Sequence, residues 1–257
     1  MRWSGLRLSV TLLTVIPLGG PVTEPSQDTA AAAMTWAPAV GLLLGGIATA
    51  VLVVADHPLG AGPLTAAGLA VAALALLTRG LHLDGLADLA DGLGSGQPAA
   101  RALDIMRRSD IGPFGIVTLV LTLVIQVGAL AHAEAAGGGR GPAALIAAAV
   151  TGRLALTWAC RRGVAAARRE GLGAFVAGTV RPAVAVGITL IVLAAAVSVV
   201  RTAFTLPLAV VAGLAAAFVL QRHAVRRLGG ITGDVLGALI ETAATVTLVV
   251  AAMGPRA

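Results

Sequence analysis

The stretch GLHLDGLADLADGLGSG, residues 80–96, places three aspartates within eight positions. Asp84, Asp88 and Asp91 are spaced i, i+4, i+7, so a helix carries all three on one face. Like charges at that spacing oppose helix formation and raise one another's pKa unless a cation neutralises them. Carboxylate oxygens are hard ligands, and a set with no cysteine and one nearby histidine suits Mg²⁺ or Ca²⁺ rather than structural zinc. Mg²⁺ usually completes its shell with substrate phosphates and is the expected cofactor. The plainer reading is that these acids only solvate a loop.

A second acidic element is GGITGDVLGALIE, residues 229–241. Asp234 and Glu241 are seven apart, again on one helical face, and Glu241 falls inside an apolar run, where an acid is costly and a functional candidate. Thr232 or Asp234 would cap the helix that starts here. Asp234 joins Asp84, Asp88 and Asp91 as an expected metal ligand. Gly233, Asp234 and Glu241 are expected to contact substrate. Arg107, beside a turn in RALDIMRRSDIGPFG, and Arg153, buried in an apolar segment, are expected to bind phosphate oxygens bidentately. For any loop arginine, orientation of the chain in a membrane explains it equally well. His82, two residues before Asp84, is the expected general base. A metal with arginines around a diphosphate would stabilise the charge that develops in phosphoryl transfer.

The elements that must hold these groups are membrane helices. Hydrophobic residues make up 58% of the 257, mean hydropathy is +0.94, and the apolar runs are continuous rather than alternating. The expected fold is all-α, a polytopic transmembrane bundle of about seven spans in a single domain, 1–257. The spans are Pro38–Ala55, Leu59–Thr78, Ile111–Ala131, Pro142–Cys160, Pro182–Val200, Phe204–Leu220 and Val235–Met253. With a cytoplasmic N-terminus, fourteen of the 18 basic residues, all arginine, fall inside. Arg140, Arg201 and Arg256 fall outside and Arg153 within a span, which satisfies the positive-inside rule. Both acidic elements then lie on the cytoplasmic side, where they can meet. The first twenty residues read as a retained short helix or re-entrant segment rather than a signal peptide. Gly20–Ala33 reads as a polar linker and 137–142 as an outer loop. Aromatic content of 3% leaves few stacking platforms, so nucleic acid is not an expected partner. The single cysteine, Cys160, implies no redox role.

Four blocks, GLHLDGLADLADGLGSG, IMRRSDIGPFG, RREGLGAFVAGTV and GGITGDVLGALIE, together with LLTVIPLG near the start, resemble in order the signature blocks of the cobalamin synthase family. These are adenosylcobinamide-GDP ribazoletransferases of late cobalamin biosynthesis. The resemblance implies an integral membrane enzyme that uses Mg²⁺ to join adenosylcobinamide-GDP to α-ribazole or α-ribazole 5′-phosphate, with release of GMP. It implies a multi-pass protein of the cell (inner or plasma) membrane with its active site toward the cytoplasm, where the bilayer concentrates the corrinoid and other cobalamin-assembly enzymes. The family's acidic blocks map onto Asp84, Asp88, Asp91, Asp234 and Glu241. One departure concerns RSDIG at 108–112, where many members read approximately DSRIG. Arg108 and Asp110 are either a swapped ion pair or not both part of the site.

Three rivals remain at this stage. CDP-alcohol phosphotransferases also use membrane aspartates, but their DG-x-x-AR pattern is missing after Asp91-Gly92. Membrane prenyltransferases match only in part at Asp84-x-x-x-Asp88. An ion-coupled transporter would line its pathway with Arg153 and Glu241.

Overall fold

The computed structural model describes residues 2–19, 26–199 and 205–253. Over these the chain is helical: α1 (Arg2–Leu13), α2 (Gln27–Asp56), α3 (Pro63–Leu77), α4 (Leu81–Gly94), α5 (Ala99–Ile105), α6 (Pro113–Ala135), α7 (Arg140–Ala159), α8 (Leu172–Val176), α9 (Pro182–Val197), α10 (Thr205–Leu228) and α11 (Gly233–Ala252). Proline opens α3, α6 and α9, where its fixed φ and missing N–H suit the first turn.

Seven of these helices coincide with the seven expected spans, but α2, α6, α7, α10 and α11 are the five long and apolar enough to cross a membrane on their own. At 15 and 16 residues, α3 and α9 fall short of the roughly 20 residues that a ~30 Å hydrocarbon core requires. The expected linker Gly20–Ala33 is corrected in part. Ser26 accepts a hydrogen bond from Thr29 N–H at 3.2 Å and starts α2 at Gln27, because an alanine run behind a good cap continues the helix. Residues 20–25, Val200, Arg201, Phe204 and Arg256 lie outside the described residues. The expected outer loop shortens likewise, since α7 already begins at Arg140.

At the centre of the bundle, α7 and α11 pack on each other, with α2 against α7 and both α10 and α4 against α11. Small residues allow this, as expected for helices that meet without a hydrophobic driving force. A β-carbon at Gly152 would lie 2.9 Å from the Ile240 carbonyl oxygen, and one at Gly45 3.0 Å from Ala149 Cβ. Large apolar side chains of α6 and α9 face outward, among them Val117, Val124, Leu190 and Ile191. That exposure fits a lipid-facing surface.

Between α3 and α4 the chain turns by 87°. Arg79 (φ 53°) and Gly80 (φ 67°) both adopt the left-handed conformation there, which ends α3 and redirects the chain. At this bend α4 leaves the direction of α3, and at 14 residues it is too short to span a membrane on its own.

Candidate functional site

The start of α4 and the start of α11 cross at glycines. A β-carbon at Gly85 would lie 2.9 Å from both Cα and carbonyl oxygen of Asp234, and one at Gly237 3.1 Å from the His82 carbonyl oxygen. This close approach sets the first acidic element against the second. Thr232 caps α11 by accepting from Val235 N–H at 3.2 Å and donates to Asp234 Oδ2 at 3.2 Å.

A third segment completes the site. Residues 160–171 return beside the strand-like start of the GGITGD turn. Ala167 N–H donates to the Ile231 carbonyl at 3.0 Å, and Ile231 N–H to the Ala165 carbonyl at 2.9 Å. Gly230 packs directly on Ala166 and Ala167, where no side chain would fit. The tie carries Arg168 to Asp234, with Nη1 3.6 Å from Oδ2. Its Nη2 donates to the Leu103 carbonyl at 2.8 Å, while its Nε is buried without a partner.

These elements enclose a cavity of about 270 Å³, lined by His82, Asp84, Arg168, Glu170, Gly233 and Asp234 among others. The α11 N-terminus and the arginine give it positive character suited to an anion, and the acids suit a cation beside it. Asp88, one turn beyond Asp84, is half-buried. Burial, then Asp84, Asp234 and Asp91, push its carboxyl up to about 7, against a smaller opposing effect of Arg168. Among the described residues, only Asp56, His57 and Glu134 have ligand atoms all within 4.8 Å of one another. The aspartates of the cavity therefore stand further apart than a fully protein-ligated ion requires. That spacing leaves room for waters and substrate oxygens, the usual habit of Mg²⁺.

The three aspartates of α4 do not share one environment. Asp84 is exposed and Asp88 half-buried, whereas Asp91 is buried. Asp91 accepts from Gly112 N–H at 2.7 Å and Gly115 N–H at 2.9 Å. It caps the N-terminus of α6 from another helix, so both of its oxygens already serve the fold.

The other expected site residues divide in the same way. Gly233 and Asp234 line the cavity, but Arg107 is exposed and outside its lining. Arg153 and Glu241 are held deeper, around a separate void of about 30 Å³ that also touches Gln126. Gln126 donates to Glu241 Oε2 at 2.9 Å and to Thr245 Oγ1 at 2.9 Å. Arg153 Nη2 lies 3.4 Å from His82 Nδ1. Arg108 and Asp110 are both exposed, and no ion pair joins them among the described residues.

Arg168, like Glu170 two residues on, is a charged cavity residue that sequence reasoning passed over. Its only signal was its place in RREGLGAFVAGTV, since a cytoplasmic arginine is equally explained by topology. Arg161, from the same loop, is spent on the fold: it donates to the Trp158 carbonyl at 2.8 Å and to Gln221 Oε1 at 2.9 Å.

The family model for cobalamin-5-phosphate synthase matches residues 5–252 of the chain. The chain is similar to the adenosylcobinamide-GDP ribazoletransferase of Frankia casuarinae, with 45% identity covering 96% of this chain and 94% of the relative. It is similar to those of Bradyrhizobium diazoefficiens, at 39% (96% and 92% covered), and of a Nocardioides species, at 40% (94% and 95%). No solved structure matches the chain.

Proposed function

Since the chain belongs to the cobalamin-5-phosphate synthase family, we propose that it joins adenosylcobinamide-GDP to α-ribazole or α-ribazole 5′-phosphate, releasing GMP. One observation carries the assignment of the site: Asp84, Arg168 and Asp234, from three separate blocks of sequence, line a single cavity at the mouth of α11. The residues serve a reaction in which the ribazole hydroxyl attacks the phosphorus nearer the cobinamide. The bridging P–O bond breaks, GMP leaves with the electron pair, and the hydroxyl proton is lost.

Arg168 and the N–H groups at the start of α11 bind the diphosphate oxygens. The place of Arg168 in the cavity lining and the Thr232-capped turn both support that role. Asp84, Asp88 and Asp234 fit Mg²⁺, because these hard carboxylates act on one another at Asp88 and Arg168 offsets them only in part. When bound, Mg²⁺ would neutralise the charge that develops on the bridging and leaving oxygens. Asp91 stays with the α6 cap, and Arg107 has no part in the cavity. The chain acts as one domain in the cell membrane, with the cavity toward the cytoplasm, the side to which the positive-inside rule assigns its arginine-rich loops. A corrinoid exceeds the cavity and extends from it toward the bilayer surface, where other cobalamin-assembly enzymes would hand it over.

A transport reading would route ions past Arg153 and Glu241. The void between them is only about 30 Å³ and is lined by a hydrogen-bonded cluster, so the enzyme reading is favoured. The deciding experiment supplies purified protein with adenosylcobinamide-GDP and α-ribazole. GMP release that requires both substrates and Mg²⁺ is expected. Ion flux in sealed vesicles without nucleotide, and no GMP, would replace this reading with transport.

A further inference from the structure

The end of the bundle remote from the cavity carries a second set of donor groups. Met34 of α2 lines the cavity. Asp56 ends the same helix, and the 22 residues from 34 to 56 place it about 33 Å away. There Asp56 and His57, at the end of α2, meet Glu134 in the last turn of α6. One oxygen of each acid and one ring nitrogen of His57 all lie within 4.8 Å of one another.

Two further observations point to a ligand. The Glu134 side chain is only 5% exposed, and its Oε1 faces His57 Nε2 at 3.7 Å, longer than a hydrogen bond. No described residue donates a hydrogen bond to that carboxylate, although buried carboxylates ordinarily collect donors. Gly141, in the first turn of α7, packs on the same carboxylate where no side chain would fit, which fixes its position. Both acids also lie at the negative end of a helix, with no arginine in the last turn of either, and a cation is favoured there.

We propose that Asp56, His57 and Glu134 bind a divalent transition ion of the Zn²⁺ class, and that the ion clamps the end of α2 to the end of α6. An imidazole with two carboxylates suits Zn²⁺ better than Mg²⁺, and three protein ligands leave a position for water. Donor atoms about 2.1 Å from a tetrahedral ion stand about 3.4 Å apart. The ring of His57 sits 3.7 Å from Glu134 and 3.9 Å from Asp56, so small side-chain rotations close the group on one ion. The exposed imidazole leaves the ion a way in from solvent. α2 and α6 each pack on α3 and α7, and Leu52, Ala55, Leu130 and Ala133 share one core behind the site. The clamp would join directly two helices that otherwise meet chiefly through their neighbours. The inference does not rest on the transferase reading.

The test titrates untagged full-length protein in detergent with ZnCl₂, with Mg²⁺ present throughout. Calorimetry should show a Zn²⁺ site that weakens about tenfold or more in His57→Ala and in Glu134→Gln and is unchanged in Asp84→Asn. Zn²⁺ should raise the thermal midpoint of the parent by about 3 °C or more and slow hydrogen exchange in the last turns of α2 and α6. The increment on adding Zn²⁺ is the readout, so a variant that is merely less stable still decides the question. No binding by the parent, equal binding by His57→Ala, or a loss in Asp84→Asn without one in His57→Ala would overturn the site. Binding that leaves exchange at the two helix ends unchanged would overturn the clamp.

Discussion

Gly85 lies so close to Asp234 that a β-carbon on it would sit 2.9 Å from the Asp234 Cα and carbonyl oxygen. Both opposing atoms are backbone, so no side chain can swing away. Gly85→Ala must push α4 and the α11 N-terminus apart and carry Asp84 and Asp88 away from Asp234. We expect turnover to fall by about 10²-fold, as a displacement near 1 Å does in a preorganised site. Thermal unfolding in detergent should change much less. Full activity in Gly85→Ala would show that this crossing does not set the site.

Asp91 tests the division within the acidic face. If it serves mainly to cap α6, Asp91→Ala should cost about 0.5–2 kcal/mol of stability and increase hydrogen exchange at Gly112 and Gly115. Mg²⁺ affinity should then change by less than the loss caused by Asp84→Asn. A larger effect on the metal than on stability would return Asp91 to the ligand set.

Arg168 should be sensitive even to lysine. Its guanidinium bridges Leu103 and Asp234, a fork that an ammonium cannot reproduce. Arg168→Lys is expected to raise the KM for adenosylcobinamide-GDP by about 10-fold or more, in line with charge-assisted hydrogen bonds worth ~1.5–3 kcal/mol. The KM for α-ribazole should move little. Equal shifts for the two substrates would point to a structural effect.

The pH dependence follows from Asp88, whose carboxyl is pushed up to about 7, chiefly by burial and then by its acidic neighbours. The folded protein without metal holds this proton more tightly than the unfolded chain does, where the pKa is ~3.9. That contribution to stability is complete below the unfolded value and is lost as pH rises through about 7. Metal-free protein should therefore lose thermal stability on this account as pH rises from roughly 5 to 8. Mg²⁺ affinity should rise over the same interval, because the ion replaces the proton. Asp88→Asn should abolish this component of both trends. Calorimetric Mg²⁺ titrations at several pH values, with the released protons counted, provide the check.

Much of this was legible in the sequence because it depends on local rules. Continuous apolar runs located the helices, and the GGITGD turn announced the cap that Thr232 provides. The spacing of Asp84 and Asp88 placed them on one face. What could not be read depends on contacts distant in sequence. Asp91 finds its partners 21 and 24 residues on. Arg168 resembles every other cytoplasmic arginine until the pairing of residues 165–167 with Ile231 brings it to Asp234. Arg153 and Glu241 carried the charge of functional residues, yet packing of α7 on α11 withholds them from the cavity. Helix lengths were misjudged at N-termini, where the Ser26 cap carries α2 back to Gln27 and Pro63 starts α3 four residues after the expected Leu59.

Mn²⁺ binding followed by electron paramagnetic resonance most directly examines the metal site, with adenosylcobinamide-GDP present and α-ribazole omitted so that no turnover occurs. The parent should bind Mn²⁺ more tightly with the nucleotide-activated corrinoid than without it, and Asp84→Asn, Asp88→Asn and Asp234→Asn should each weaken binding by about tenfold or more, a loss of ~1.4 kcal/mol. Binding that is equally tight in all three variants, and indifferent to the diphosphate, would contradict the assignment of these carboxylates to a cation shared with substrate.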